Sequence, residues 1–179
     1  MKSMTHPSAT LTPTQRRITL LRHAKAEPDR GGDDHARALA PAGRDQAAAL
    51  GLWLHERTLQ PQRVLCSTAM RTRETLALLE LSSPAEFMQS LYLASAGDML
   101  AMVQNCDDAV HHLCLIGHNP GMHGLAALLA GEYVREADAD QLASRYPTCG
   151  LVSLVIDTPW AQLAPQVGTV DLVHFGSSD

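Results

Sequence analysis

Three apolar runs of four or five residues, at 17–21, 63–66 and 112–116, constrain this chain most, because each is too short for a helix and each stops at polar or glycine residues. The segments between them carry apolar residues at helical spacing. Pro41-Ala42-Gly43 opens one in which Ala47, Leu50 and Leu54 recur on one face, ending near Arg57, and Pro61 breaks it. A second runs over 70–81, with Ser67 as its expected N-cap and Ser82-Ser83-Pro84 as its stop. Residues 97–105 read as a third helix and 121–129 as a fourth, closed by Gly131. Residues 151–156 and 167–173 read as two late strands joined in a hairpin-like connection, while 87–93 fits either an extended piece or a loop. The stretch 132–146 is polar and carries no clear pattern. Strands alternating with helices predict an α/β layered domain with a largely parallel sheet.

The length of 179 residues suits one domain, read here as 17–179 behind a flexible tail at 1–16. A hydrophobic fraction of 45% against 18% charged argues for a globular chain, and a net charge of −5 leaves no basic footprint for nucleic acid. No stretch reads as a signal peptide or a membrane span, so a cytoplasmic protein is expected. Cys66, Cys106, Cys114 and Cys149 are widely spaced and read as small hydrophobes, not as disulfide or metal residues.

Two of the apolar runs end in histidine motifs, Arg22-His23 and Gly117-His118-Asn119-Pro120-Gly121. The ends of strands in open α/β sheets are where ligands bind. A guanidinium beside an imidazole suits an oxyanion, since Arg is always charged and presents a planar fork of donors. His23 is the candidate nucleophile, because a neutral ring nitrogen can attack phosphorus without prior deprotonation. Arg71, four residues beyond Ser67 at a helix start, is a second candidate clamp, while Arg73 reads as a solvated charge. No P-loop and no H-E-x-x-H or cysteine-rich ligand set occurs, so neither metal nor cofactor is expected.

These segments together resemble the histidine phosphatase superfamily, and within it the short phosphohistidine phosphatases of the SixA type. The resemblance rests on Leu21-Arg22-His23-Ala24-Lys25-Ala26, on Leu39-Ala40-Pro41-Ala42-Gly43-Arg44-Asp45-Gln46-Ala47, on Ser67-x-x-x-Arg71-Thr72-x-x-Thr75 and on Gly117-His118-Asn119-Pro120-Gly121, in the family's order. It implies a three-layer sandwich with the phosphoglycerate mutase-like fold. It also implies a metal-independent phosphatase that passes the phosphoryl group through His23, with Arg22, Arg71 and His118 holding it and Asn119 assisting. Ala24 stands where the wider family often has glycine, and Thr68 where it often has proline.

Members that act on phosphate monoesters carry an acid in the region here spanning 92–98. Asp98 is one candidate proton donor, though equally a helix cap, and Glu27 is another. Without a firm acid, the site suits P–N better than alkyl P–O bonds, since a phosphorylated imidazole leaves without a dedicated donor. The expected substrate is therefore phosphohistidine on a protein. The alternatives are a small-molecule phosphomonoesterase, a phospho-binding module without turnover, and a metal-binding regulatory domain suggested only by nine histidines.

Overall fold

The three apolar runs fold as strands β1 (Arg16–Arg22), β2 (Arg63–Ser67) and β4 (His112–Gly117). Four more, β3 (Ala85–Met88), β5 (Ala130–Tyr133), β6 (Leu151–Ile156) and β7 (Gly168–His174), complete one sheet in the order β3-β2-β4-β1-β6-β7-β5. The computed structural model describes residues 10–176. Most of the expected 1–16 tail thus lies outside the described residues, and its last member, Arg16, belongs to β1.

Alternation along β1 shows why the sheet needs cover on both sides. Ile18 and Leu20 enter one core and Leu21 the other, each at most 1% exposed. Helices α1 (Pro41–Glu56) and α2 (Met70–Leu79) pack on the Leu21 side through Ala47, Leu50, Leu54 and Leu79. Helices α3 (Ala96–Gln104), α4 (Gly121–Leu129) and α5 (Glu136–Ser144) close the Ile18 side through Met99, Val103, Leu125 and Leu142. Each fully buried leucine or isoleucine contributes about 1.5–3 kcal/mol, so both faces stabilise the sheet. The result is a three-layer α/β sandwich.

All neighbouring strands run parallel except at β6, which is antiparallel to β1 and β7. The β6–β7 link holds only a 3-10 turn at Trp160–Gln162, too short for the crossover that parallel neighbours need.

Two punctuation residues act differently from expectation. Ser67 is the last residue of β2, and the N-cap position of α2 belongs to Ala69. Gly131 does not end α4; it lies in β5, where an added Cβ would fall 2.0 Å from the Gln166 carbonyl oxygen. The ambiguous segment after residue 87 resolves into the end of β3 and a 3-10 turn at Gln89–Leu91, and the patternless 132–146 stretch holds α5. Cys66, Cys114 and Cys149 are buried in apolar packing, and all four cysteines are free.

Candidate active site

The register of the parallel strands assembles the site. Leu21 of β1 and Cys66 of β2 both sit beside Ile116 of β4, so the three strands end together at one edge of the sheet. His23 N–H donates to the Gly117 carbonyl at 3.1 Å, extending the ladder by one residue past β1. The chain then delivers His23 and His118 as neighbours, with ring centroids 5.2 Å apart. A cavity of about 450 Å³ opens here, lined by Arg22, His23, Asp34, Arg71, His118 and Asn119 among others.

Each imidazole is held at one nitrogen. His23 Nδ1 donates to the Ala24 carbonyl at 2.7 Å, a contact only a protonated Nδ1 can make, which leaves Nε2 with its lone pair. His118 Nε2 lies 2.8 Å from Ser67 Oγ, and His118 Nδ1 is buried without a partner. Burial lowers the His23 pKa to about 4, helped by the Arg71, Arg22 and Arg37 charges. Burial, then the His23 and Arg71 charges, lowers that of His118 to about 3. Both rings are therefore neutral at neutral pH.

The two guanidiniums are fixed from behind. Arg22 Nη1 donates to the Tyr146 carbonyl at 2.9 Å, and Asn119 Nδ2 donates to the same oxygen at 2.8 Å. Arg71 is only 2% exposed, which rules out a solvated helix charge. Its Nε and that of Arg22 are both buried without partners. Thr75 ties the nucleophile loop to this helix, since Thr75 Oγ1 accepts from Ala24 N–H at 3.1 Å and donates to the Arg71 carbonyl at 2.7 Å. Gly43 lets α1 press on the same loop, where a Cβ would come within 1.9 Å of the Lys25 carbonyl oxygen.

Sequence reasoning missed Asp34, Arg37 and Tyr92. Asp34 accepts from Arg71 Nη2 at 2.9 Å, from Arg37 Nη2 at 2.7 Å and from the Tyr92 hydroxyl at 2.6 Å. These bonds, the Tyr92 one foremost, hold its carboxyl well below the usual carboxylate range. Asp34 sits in a polar loop, and only the fold reveals that Arg71 and Tyr92 meet it there. The two expected proton donors lie elsewhere. Asp98 forms a capping box with Ser95 at the start of α3, its pKa lowered by the Ser95 hydrogen bonds, and does not line the cavity. Glu27 is absent from the lining too, and its carbonyl instead accepts from Arg37 Nη1 at 3.1 Å.

The geometry offers an imidazole nitrogen with a free lone pair, a second imidazole and three guanidiniums, those of Arg22, Arg37 and Arg71, around one cavity. Among the described residues the only lining carboxylate is that of Asp34, which stays ionised. Among the described residues no group of three or more His, Cys, Asp or Glu side chains is placed to hold a metal ion. No helix among them is long and apolar enough to cross a membrane.

Comparison with known proteins agrees with this arrangement. Residues 18–105 match the model of the histidine phosphatase superfamily (branch 1). An uncharacterized protein of Mycobacterium tuberculosis is 36% identical over 156 residues, spanning 87% of this chain and 98% of the relative. The structure of a candidate phosphohistidine phosphatase, SixA from Agrobacterium tumefaciens, is 30% identical with a TM-score of 0.71, covering 79% of this chain and 92% of that one. A SixA candidate from Nakamurella multipartitia superposes with a TM-score of 0.81 at 28% identity, covering 96% and 99% of the two chains.

Proposed function

The chain belongs to the histidine phosphatase superfamily, and from that premise we propose that it is a metal-independent phosphatase that removes phosphate from protein phosphohistidine through His23. The observation that carries this reading is the pairing of His23 and His118 at 5.2 Å in a cavity that Arg22 and Arg71 line.

In this mechanism Nε2 of His23 attacks phosphorus in line, and the bond from phosphorus to the leaving group breaks. Arg22 and Arg71 neutralise the equatorial oxygens and His118 donates a hydrogen bond to one of them, which together is the main task in phosphoryl transfer. The mechanism assigns the donor role to the Ser67 hydroxyl, 2.8 Å from Nε2 of His118, and the neutral ring then presents Nδ1–H to an oxygen of the phosphoryl group. Water then attacks the phosphorus carried on His23, and the Nε2–P bond breaks. Because Nδ1 keeps its proton on the Ala24 carbonyl, the His23 ring leaves as neutral imidazole without a proton transfer. The water proton passes to the departing phosphate.

The substrate class follows from proton supply. An alkyl alkoxide is a poor leaving group and needs a nearby acid. Asp34 is ionised and cannot give that proton, while Asp98 and Glu27 lie outside the lining. A phosphohistidine, protonated on its other ring nitrogen, leaves unaided as neutral imidazole. Localisation in the cytoplasm belongs to the same reading.

Mass spectrometry after a base quench tests the intermediate, and an acid-labile phosphoryl group on His23 is the expected result. Comparing kcat/KM on a phosphohistidine protein with that on sugar phosphates tests the substrate class. Turnover without label on His23, or a strong preference for any alkyl monoester, overturns the respective part.

A further inference from the structure

The catalytic cavity does not end at the histidines. A larger depression of about 850 Å³ shares Lys25 and Thr148 with it and continues along the exposed face of α1. Ala42, Asp45, Gln46, Ala49 and Trp53 form that wall at helical spacing. The facing wall comes from the loop before β6, where Arg145 and Thr148 lie, and from His174 of β7. Eleven helical steps from Ala42 to Trp53 make the groove about 16 Å long, room for about five extended residues.

Both walls are tied to the nucleophile's own backbone. Cys149 N–H donates to the His23 carbonyl at 3.0 Å, and Arg22 N–H donates to the Gly150 carbonyl at 3.0 Å. Lys25 N–H donates to Gln46 Oε1 on the helix wall at 3.2 Å. A chain lying in the groove is thus held in register with the phosphoryl group.

We propose that this groove binds the polypeptide flanking the phosphohistidine, with a preference for acidic residues. The proposal rests on the phosphohistidine reading above. Charge favours it, since the groove itself is lined by Lys25 and Arg145 against the carboxylate of Asp45 and opens onto the Arg22, Arg37 and Arg71 cluster of the catalytic cavity. This cationic track stands out on a chain of net charge −5. His174 stacks on Trp53 at 4.1 Å between centroids, and the Arg57 guanidinium carbon lies 4.1 Å from the Trp53 ring centroid, so this ring is already engaged within the protein.

The test uses the whole chain, two synthetic phosphohistidine peptides of about a dozen residues with glutamate or lysine flanks, and an aryl phosphate. Wild type should favour the acidic peptide by about tenfold at low salt, with the advantage shrinking as salt screens it. Arg145→Glu should erase that advantage, and Ala49→Gln, which fills the groove from an exposed helix position, should lower kcat/KM on both peptides about fivefold. Aryl phosphate turnover should stay within about twofold in both variants, because neither residue lines the catalytic cavity. Equal wild-type turnover of the two peptides, with both variants like wild type, overturns the groove. So does a loss on aryl phosphate parallel to that on peptides, or turnover of aryl phosphate with neither peptide a substrate. A wild type inactive on all three substrates instead overturns the phosphatase reading on which the groove depends.

Discussion

Ser67→Ala separates two accounts of one residue. As a helix cap, Ser67 would contribute only stability. As the partner of His118 it orients the ring that, in the proposed mechanism, touches the phosphoryl group, through a 2.8 Å bond in a site where Ser67 is fully buried. The Ser67 hydroxyl also accepts from Ala69 N–H at 3.4 Å, so its loss costs the α2 entry some stability, but Thr72 Oγ1 still holds that entry by donating to the Ser67 and Ala69 carbonyls at 2.8 Å each. Removing the hydroxyl leaves Nε2 of a buried imidazole unpaired, at a cost of about 1–3 kcal/mol. The ring can escape part of that cost by turning or by changing tautomer, and either movement withdraws Nδ1–H from the substrate. Steady-state kinetics should show kcat/KM reduced by about 5- to 100-fold, the range that 1–2.7 kcal/mol corresponds to. Vanadate inhibition should weaken in parallel, since a five-coordinate oxyanion resembles the transferring phosphoryl group. A variant that melts earlier while keeping wild-type kcat/KM would refute the argument and restore Ser67 to a structural role.

His23→Ala should abolish turnover, by at least about a thousandfold, with an unchanged circular dichroism spectrum, and residual activity within about tenfold of wild type would remove His23 as nucleophile. Arg71→Ala should weaken vanadate binding as well as slow the reaction, checked by inhibition titration, because a fully buried guanidinium cannot be replaced by solvent cations. Stability should fall with acid earlier than carboxylates alone would cause. His23 and His112, both lowered to about 4, and His118, lowered to about 3, stay neutral in the native state while the unfolded chain takes up protons near pH 6.5. Their contribution is complete above pH 6.5 and is lost as pH falls toward 4, up to about 2 kcal/mol per imidazole by pH 5. Urea midpoints at pH 7 and pH 5 measure it, and equal midpoints would contradict the burial of these rings. The acid limb of kcat/KM, corrected for substrate ionisation, should likewise lie near pH 4 and not near 6.5.

Legibility in the sequence tracked how local each determinant is. Strands β1, β2 and β4 and helix α4 were readable because their apolar residues are contiguous or strictly periodic and their stops are polar or glycine. Helix α5 was not, because only Asp138 and Leu142 on it are buried, and Asp138 is held by Arg135 at the helix start, a pair that leaves no apolar stripe. The hairpin-like connection read between 151–156 and 167–173 matches the antiparallel β6–β7 pair, whereas the antiparallel pairing of β6 with β1 was hidden, since a buried strand reads the same parallel or antiparallel. At the site, His23, His118, Arg22 and Arg71 stand in short motifs and were named from them. Asp34 acquires its meaning from Arg71 and Tyr92, which lie 37 and 58 residues further along the chain. No window of sequence contains that meeting. Ser67 was noticed at the right place for the wrong reason, because its partner His118 is 51 residues away.

The bonds that Asp34 makes also bear on how the enzyme ends a cycle. Its carboxylate already occupies donors of Arg71 and Arg37 before any substrate arrives. Incoming phosphate therefore meets cations whose charge is half spoken for, and it gains less from them than from bare guanidiniums. A weaker grip on the ground state raises KM without lowering kcat, because only interactions stronger in the transition state raise kcat. It does let inorganic phosphate go. A pocket of unopposed arginines would retain its product and idle in inorganic phosphate, whereas this one resets itself.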